Sequence, residues 1–263
     1  MSAEARVVDR SPAPGARLDL AIFKRAIAHR GLHDASKGRI ENTAPAFQAA
    51  IDRGYGIECD LQAASEGTPM VFHDEKLGRL VDAAGPIAAY TPAQIARFRL
   101  KGHDTRILSF ARFLELVAGR VPLLVEVKRN RRRPEFRYLQ SIARLASAYK
   151  GPIALMSFDR DVVAAFGTLA PDVPRGLVLG SHQLAASLLS RSRARRGLGS
   201  LLASAPEGIA FFALDVRILR RAVNWFDKHP PAPVLFTWTV RTPRERELAN
   251  KFAHAPIFEG FEW

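Results

Sequence analysis

Seven ionisable side chains stand where apolar segments of the chain end, and their types and spacing could carry out hydrolytic chemistry. Glu58 and Asp60 are two residues apart, and so are Glu126 and Lys128. Side chains two apart on a β-strand point to the same face, so each pair can aim at one point. Carboxylates, histidines and cations in one place describe a hydrolytic site with a hard metal ion. The seven residues are His29, Arg30, Glu58, Asp60, His73, Glu126 and Lys128.

Strand and helix patterns alternate along the chain, which predicts a parallel sheet covered by helices. Several of the strands read as continuous apolar runs, as strands covered on both faces do. The predicted strands are residues 26–29, 56–61, 70–73, 123–127, 153–157, 176–179, 210–214, 234–239 and 256–258. The predicted helices are residues 44–53, 92–99, 110–118, 136–149, 161–169, 183–189, 217–228 and 243–250.

The order of the polar residues along the chain is also a family pattern. It resembles that of the glycerophosphodiester phosphodiesterases, which share the TIM barrel of the phospholipase C-like phosphodiesterases. The resemblance runs from about Ile27 to the C-terminus, and residues 237–240 and 257–260 fit the family's late motifs. Five motifs in order, each near a predicted strand end, are a stronger signal than any one alone. They are His29-Arg30-Gly31, Glu41-Asn42-Thr43, Glu58-x-Asp60, His73-Asp74 and Glu126-x-Lys128.

A chain of 263 residues has the usual length for one (β/α)8 TIM barrel, and the resemblance implies that fold. Nine predicted strands are one too many for eight positions. We therefore expect residues 70–73 to end a short excursion after the second barrel strand, and the resemblance implies a small insertion there, at about residues 77–106. The expected organisation is a loosely packed N-terminal arm over residues 1–20 and a single barrel domain over residues 21–263. Residues 190–205 predict a mobile loop.

The carboxylates predict the metal. Glu58, Asp60 and Glu126 supply only oxygen ligands, which favour one hard divalent cation, Mg²⁺ or Ca²⁺. Zinc would more often recruit a histidine or cysteine. The alternative is structural ion pairing, for instance between Glu126 and Lys128. Three acids at the ends of apolar strands would be costly without a cation, so we favour the metal site.

His29 and His73 are the predicted acid–base pair, because imidazole can take or give a proton near neutral pH. The resemblance implies that one histidine deprotonates the attacking hydroxyl and that the other protonates the leaving alkoxide. The nucleophile implied by the family is the substrate's own glycerol hydroxyl, which gives a cyclic phosphate that water then opens. The sequence does not assign the two roles. His33 and His182 match no family motif and are interpreted as ordinary surface or loop residues.

The remaining candidates would bind substrate or support the site. Arg30 is predicted to bind a phosphate oxygen, or else to brace the backbone, and Lys128 to neutralise phosphate charge. Trp238 would form an apolar wall against the glycerol carbons, with core packing as the alternative. Glu41 matches a family position close to the metal or to Arg30, so it is either a ligand or a support for one. Asn42 is expected to fix its loop.

Charge and cysteine content limit the possible partners and the cellular location. Thirty-nine basic against 26 acidic residues give a net charge of +13, which favours anionic partners. Arginines cluster at residues 129–133 and 191–196. These clusters are either solvated loops or a contact with an anionic membrane surface. No zinc or aromatic-interleaved motif accompanies them, so no nucleic-acid partner is expected. Neither a signal peptide nor a transmembrane run is seen, and Cys59 is the single cysteine, which together predict a cytoplasmic location.

Three functions remain open at this point. The favoured one is metal-dependent hydrolysis of deacylated phospholipids, the glycerophosphodiesters, to glycerol 3-phosphate and an alcohol, with a soluble small-molecule substrate such as glycerophosphocholine. The second keeps the chemistry but acts on lysophospholipid or phosphatidylglycerol at an anionic membrane surface. The third is a non-catalytic anion-binding protein, which turnover with any divalent ion would exclude.

Overall fold

The structure, a computed structural model, describes residues 16–129, 135–189 and 197–263. Its centre is a closed barrel of eight parallel strands with helices between them, so the predicted TIM barrel is confirmed. The strands in chain order are β1 Ile27–Ala28, β2 Gly56–Ala63, β3 Pro69–Val71, β4 Leu123–Val127, β5 Ile153–Ser157, β6 Arg175–Leu179, β7 Phe211–Asp215, β8 Val234–Val240 and β9 Ala255–Phe258.

The short strand β1 closes the barrel, and β3 lies outside it. Ile27 of β1 is opposite Gly56 of β2 on one side and Ile257 of β9 on the other, with both pairings parallel. By contrast, β3 runs antiparallel to the end of β2, where Leu61 is opposite Val71. The surplus strand β3 therefore belongs to an excursion after the second barrel strand, as predicted.

Six of the described helices begin after a residue whose side chain caps the helix. Thr91 and Thr242 each form a capping box with a glutamine or glutamate three residues later, and a proline follows each threonine. The third helix ends four residues earlier than predicted. The helices are α1 Leu20–Phe23, α2 Ala44–Asp52, α3 Pro92–Ile95, α4 Phe110–Val117, α5 Glu135–Ala148, α6 Arg160–Leu169, α7 Ser181–Leu188, α8 Leu198–Ala203, α9 Val216–Phe226 and α10 Pro243–Phe252.

Successive side chains of β2 alternate between the hydrophobic core and the interior of the barrel. Ile57, Cys59 and Leu61 belong to the core between the barrel and its helices. Glu58 and Asp60, between them, point to the opposite face, as the two-residue period of a strand requires. Cys59 is accordingly buried, and burial raises the pKa of its thiol well above its usual value.

The segment before β1 fills the amino-terminal end of the barrel. Leu18 and Phe23 are buried in the interior cluster, and the rings of Phe23 and Phe236 lie 6.4 Å apart. Asp19 caps α1 by accepting a hydrogen bond from the Ala21 amide. Leu18 thus departs from the loose packing expected of the arm, because its side chain belongs to the interior cluster of the barrel. Residues 1–15 of the predicted arm lie outside the described residues.

The predicted loop over residues 190–205 contains a helix that the sequence analysis missed. Helix α8 buries Leu198 and Leu202 in the same cluster as α9. Its Gly199 lies against Trp225, and a β-carbon there would come within 2.5 Å of the indole nitrogen. The glycine that suggested a loop is required by this close approach. Residues 190–196 lie outside the described residues.

The excursion between β3 and α4 builds a small core of its own. Met70, Leu77, Val81 and Ile95 are buried together there, apart from the main core. This packing gives a firm position to the short 3-10 turn Leu77–Arg79, whose last residue reaches the barrel mouth. Across the three described ranges, no helix has both the length and the apolar character needed to cross a membrane.

Candidate active site

A cavity of about 360 Å³ opens at the carboxyl ends of the barrel strands. In a TIM barrel this end carries the side chains that the loops and strand ends bring together. Asp60, Glu41 and Asn42 stand behind the lining and hold other members of the site. The sequence-predicted residues that line the cavity are His29, Arg30, Glu58, His73, Glu126, Lys128 and Trp238.

Three carboxylates, here called the acidic cluster, meet on one side of this cavity: Glu58, Asp60 and Glu126. Asp60 of β2 lies opposite Glu126 of β4 in the parallel register, and Glu58 lies two residues before Asp60. One oxygen from each carboxylate falls within 4.8 Å of the other two. All three side chains are buried. Strand alternation and register therefore produce the predicted convergence.

The cluster fits a hard divalent cation. Glu58 Oε1 is buried and has no hydrogen-bond partner within the described ranges. Burial raises the pKa of Glu58 well above its usual value, and Asp60 and Glu126 raise it further by repulsion. A cation among the three groups would satisfy this oxygen and offset the repulsion. An all-oxygen donor set of this kind suits Mg²⁺ or Ca²⁺.

Lys128 pairs with the acidic cluster. Its Nζ lies 2.7 Å from Asp60 Oδ1 and also contacts Glu126 Oε1. Burial opposes the charged lysine, but the two carboxylates outweigh it and raise the pKa of Lys128. The ion pair between Glu126 and Lys128, considered above as an alternative, therefore exists. It occupies the same place as the convergence of the three carboxylates, so the two interpretations are compatible.

The turn after β1 is shaped by close backbone contacts. Arg30 has a φ of 55°, in the left-handed region, and its amide donates to Glu58 Oε2 at 2.9 Å. Gly31 has a φ of 80°, and a β-carbon at this position would come within 2.9 Å of the Ala46 backbone. A glycine is thus required for the turn to pack on α2, which holds His29 and Arg30 at the cavity.

Arg30 and Asn42 position Asp60. Arg30 Nη1 lies 2.8 Å from Glu41 Oε1, and Arg30 Nε lies 3.2 Å from Asp60 Oδ2. Asn42 donates to Asp60 Oδ2 at 2.9 Å and accepts from the Asp60 amide at 3.2 Å. Burial alone would raise the pKa of Asp60, but Lys128 and Arg30 outweigh it and hold the pKa below its usual range. Asp60 therefore stays ionised.

His29 is oriented by a carboxylate from the other end of the chain. Its Nδ1 pairs with Glu259 Oε2, while its Nε2 lies 3.9 Å from Glu58 Oε2. Glu259 also contacts His33 Nε2 at 3.5 Å and Arg241 Nε at 2.6 Å. Burial lowers the pKa of His29, and the bond to Glu259 opposes that shift. His33 is therefore part of the site's support, which corrects its interpretation as an ordinary loop residue.

His73 is oriented through a chain of ion pairs that starts in the excursion. Its Nδ1 lies 2.7 Å from Asp74 Oδ1. Arg79 contacts Asp74 through Nε and reaches Glu41 through Nη1 at 2.9 Å and Nη2 at 2.7 Å. Glu41 in turn holds Arg30. Glu41 thus lies outside the acidic cluster and joins the support of His73 to Arg30.

The other side of the cavity, here called the far wall, consists of Phe158, His182, Arg217, Trp238 and Arg241. Trp238 Nε1 donates to the Ala213 carbonyl at 3.0 Å, which fixes the indole ring. Phe158 packs edge-on against Trp238, with ring centroids 5.3 Å apart, and tilts against His182 at 5.4 Å. His182 therefore lines the cavity, contrary to the sequence interpretation.

Sequence reasoning missed several residues that the structure brings to this mouth. Arg217 and Arg241 each follow closely on a predicted strand, so the rule of polar residues at strand ends could have found them. Arg79 lies within a predicted insertion, where no pattern signalled a role. Glu259 was noted as part of a late motif, but its contact with His29 spans 230 positions of sequence and leaves no local signal.

The sequence also matches known proteins. Residues 29–259 match the sequence model of the glycerophosphoryl diester phosphodiesterase family. A glycerophosphodiester phosphodiesterase 1 of Homo sapiens is 37% identical over 98 residues, which cover 35% of this chain and 28% of that protein. A glycerophosphodiester phosphodiesterase of Caldanaerobacter subterraneus is 38% identical over 103 residues, which cover 38% of this chain and 37% of that protein. The aligned segments thus span less than two-fifths of these relatives.

A solved structure shows the same fold. The Oleispira antarctica phosphodiesterase in complex with the product sn-glycerol-3-phosphate superimposes with a TM-score of 0.70. The match covers 89% of this chain and 92% of that one, at 18% sequence identity. At this identity the likeness concerns the fold, and the chemistry has to be argued from the side chains at the barrel mouth.

Proposed function

Because the chain belongs to the glycerophosphoryl diester phosphodiesterase family, we propose that it hydrolyses glycerophosphodiesters to glycerol 3-phosphate and an alcohol with the help of one divalent cation. The observation that carries the proposal is the convergence of Glu58, Asp60 and Glu126 beside two histidines at the barrel mouth. A phosphodiester anion repels nucleophiles, so its hydrolysis requires groups that offset negative charge and move protons.

Glu58, Asp60 and Glu126 would hold the cation, either Mg²⁺ or Ca²⁺. When bound, such an ion supplies positive charge next to the phosphate and stabilises the charge that builds up on its oxygens. The buried, unpartnered Oε1 of Glu58 supports this assignment, because a buried carboxylate oxygen without any partner is costly.

His29 and His73 would move the protons. In each, Nδ1 is engaged by a carboxylate, Glu259 or Asp74, which leaves Nε2 for the substrate. One histidine takes the proton of the glycerol hydroxyl as its oxygen bonds to phosphorus. The bond from phosphorus to the alcohol breaks, and the other histidine protonates the departing oxygen. Water then opens the cyclic phosphate with the proton transfers reversed.

Arg30 and Lys128 would offset phosphate charge, and Trp238 would form the apolar wall beside the glycerol carbons. Both cations are held by carboxylates before any substrate arrives, which favours catalysis because little reorganisation is needed. Asn42 and Glu41 act behind them, through Asp60 and Arg30 respectively. The membrane-surface alternative depends on arginine clusters that lie mostly outside the described residues, and the cytoplasmic location stays a prediction.

The test is release of glycerol 3-phosphate from a panel of glycerophosphodiesters assayed with Mg²⁺, Ca²⁺, Mn²⁺ or a chelator. We expect turnover with Mg²⁺ or Ca²⁺, its loss after chelation, and its recovery when the ion is restored. Turnover that survives exhaustive chelation would contradict the metal proposal. The absence of turnover with every ion and every diester would leave the anion-binding alternative.

A further inference from the structure

We propose that the far wall binds an anionic group on the alcohol half of the substrate, so that the preferred glycerophosphodiesters are those whose second alcohol carries a phosphate or a carboxylate. This inference rests on the proposed function and names its substrate class. The acidic cluster would hold the scissile phosphate on one side of the cavity. The glycerol half and the alcohol half flank that phosphate, and we place the alcohol half towards Arg217 and Arg241, with the glycerol carbons against Trp238.

Arg217 presents a guanidinium that is fixed from behind and open in front. Its Nε and Nη2 contact Asp215, at 2.9 Å and 2.6 Å, and that carboxylate is only 2% exposed. The Arg217 side chain itself is 70% exposed, and its Nη1 has no hydrogen-bond partner in the described part of the chain. Asp215 also caps α9 by accepting from the Arg217 amide at 2.9 Å. The arginine is thus anchored by Asp215 while it lines the cavity with one donor nitrogen still available.

Arg241, directly after the neighbouring strand β8, repeats this arrangement. Its Nε contacts Glu259 Oε1 at 2.6 Å, and its side chain is 55% exposed. Neither Nη1 nor Nη2 of Arg241 has a hydrogen-bond partner within residues 16–129, 135–189 and 197–263. Two guanidiniums with free donors on one wall suit the several oxygens of a phosphate or carboxylate, which arginine binds through charge-assisted hydrogen bonds.

The same wall is poorly suited to a quaternary ammonium group. Aromatic faces can bind such a group, but Lys128 Nζ already lies over the Phe158 ring, 6.0 Å from its centroid. The acidic side chains in the cavity lining are Glu58 and Glu126, and both belong to the acidic cluster. A choline group near the far wall would therefore meet two guanidiniums and an ammonium without a carboxylate of its own. This makes glycerophosphocholine the weaker substrate.

The experiment compares kcat/KM for glycerophosphoglycerol, for its form phosphorylated on the terminal hydroxyl, and for glycerophosphocholine. The first two differ by one phosphate at the position that the far wall would bind. Charge-assisted contacts that are partly exposed to solvent predict a preference of about tenfold for the phosphorylated form. Glycerophosphocholine should be turned over more slowly than either, and the preference should weaken at high salt.

Arg217→Gln tests the residue, and Arg221→Gln is its matched control. Arg221 is exposed, lies one turn further along α9 and does not line the cavity. Its replacement by glutamine removes the same positive charge. We expect the ratio of kcat/KM between the phosphorylated and unphosphorylated diesters to fall towards one in Arg217→Gln and to keep its wild-type value in Arg221→Gln. Arg241 is left intact because it also holds Glu259, the partner of His29.

Equal kcat/KM for the two glycerophosphoglycerols in the wild type would overturn the inference, as would a preference that persists in Arg217→Gln or a faster reaction with glycerophosphocholine. In each of those outcomes glycerol 3-phosphate is still released, so the proposed function stands. If none of the three diesters is hydrolysed with any divalent cation, the proposed function fails first and the inference fails with it.

Discussion

The two sides of the barrel mouth differ in how their charged groups are held. In the acidic cluster, Glu58 and Asp60 are about 1% exposed, and Asp60 is held by Asn42, Arg30 and Lys128 together. On the far wall, Arg217 and Arg241 are each anchored by one carboxylate and are more than half exposed. One side is fixed before substrate arrives, and the other leaves donors open to it.

This difference separates chemistry from recognition. A fixed arrangement of charges lowers a reaction barrier because nothing has to reorganise during the reaction. Exposed guanidiniums can adapt to the shape of an alcohol group at little cost in catalysis. Changes in the acidic cluster and its histidines should therefore act on kcat and metal binding. Changes on the far wall should act on substrate choice and KM.

Asp60→Asn is expected to have the largest effect. Losing a charged ligand should weaken Mg²⁺ or Ca²⁺ binding and lower kcat/KM by about a thousandfold, because the ion supplies several kcal/mol of charge stabilisation. Calorimetric titration with each ion and steady-state kinetics measure the two losses. Glu66→Gln, which removes an exposed carboxylate just after β2, is the control and should match the wild type.

The fold should tolerate Asp60→Asn better than the activity does. Removing the charge of Asp60 loses its ion pairs with Lys128 and Arg30, but it also relieves its repulsion with Glu58 and Glu126, so part of the loss is offset. The thermal midpoint of the metal-free variant should accordingly stay within about 3 °C of that of the metal-free wild type, a shift worth about 1 kcal/mol. Full activity at wild-type metal affinity would contradict the assignment of Asp60 as a ligand.

His29→Ala and His73→Ala should each lower kcat by about a hundredfold or more while metal binding is retained, since acid–base groups contribute roughly 10² to 10⁴ in rate. The exposed His229, outside the cavity lining, provides His229→Ala as the control. A diester with an activated nitrophenol leaving group should rescue only the variant that lacks the general acid. If either variant kept a near-wild-type kcat with an unactivated diester, the replaced histidine would not be an acid–base catalyst.

Arg79→Met is expected to lower kcat by about ten- to a hundredfold, because Arg79 acts only through Asp74 and Glu41. The double variant with His73→Ala should be little slower than His73→Ala alone, since residues that act through one another are not additive. Arg99→Met, which breaks an exposed ion pair with Asp104 in the same excursion, is the control. Additive losses would show that Arg79 does not act through His73.

The acidic cluster could be predicted from the sequence because its residues follow local patterns. Glu58 and Asp60 converge because they alternate on one strand, and Glu126 joins them through the parallel register. Strand periodicity and the order of motifs are enough to find such a cluster. The alternation of strands and helices predicted the parallel sheet, and the chain length together with the family resemblance indicated the barrel.

The far wall and the residues that hold the two histidines could not be predicted from such local patterns. Glu259 meets His29, and Arg79 meets Glu41, only because the barrel closes and the excursion folds back over its mouth. Helix α8 was missed for a related reason, since its serine- and glycine-rich sequence is typical of a loop. Its helical state depends on burying Leu198 and Leu202 in the cluster that α9 also lines.

Trp238→Phe should have the smallest effect and decides between the two interpretations of Trp238. If the indole is a wall for the glycerol carbons, KM should rise about three- to tenfold with kcat little changed, since a partly lost apolar contact is worth roughly 1 kcal/mol in binding. If the ring serves core packing, the main effect should be on stability, because the bond from Nε1 to the Ala213 carbonyl is also lost.

The thermal midpoint and KM of Trp238→Phe therefore need to be measured together. Trp225→Phe is the matched control, since Trp225 packs against Phe226 and His229 outside the cavity lining. Both variants should lose some stability, but only Trp238→Phe should raise KM. An unchanged KM with a lowered midpoint would assign Trp238 to the core and leave Arg217 and Arg241 as the substrate contacts of the far wall.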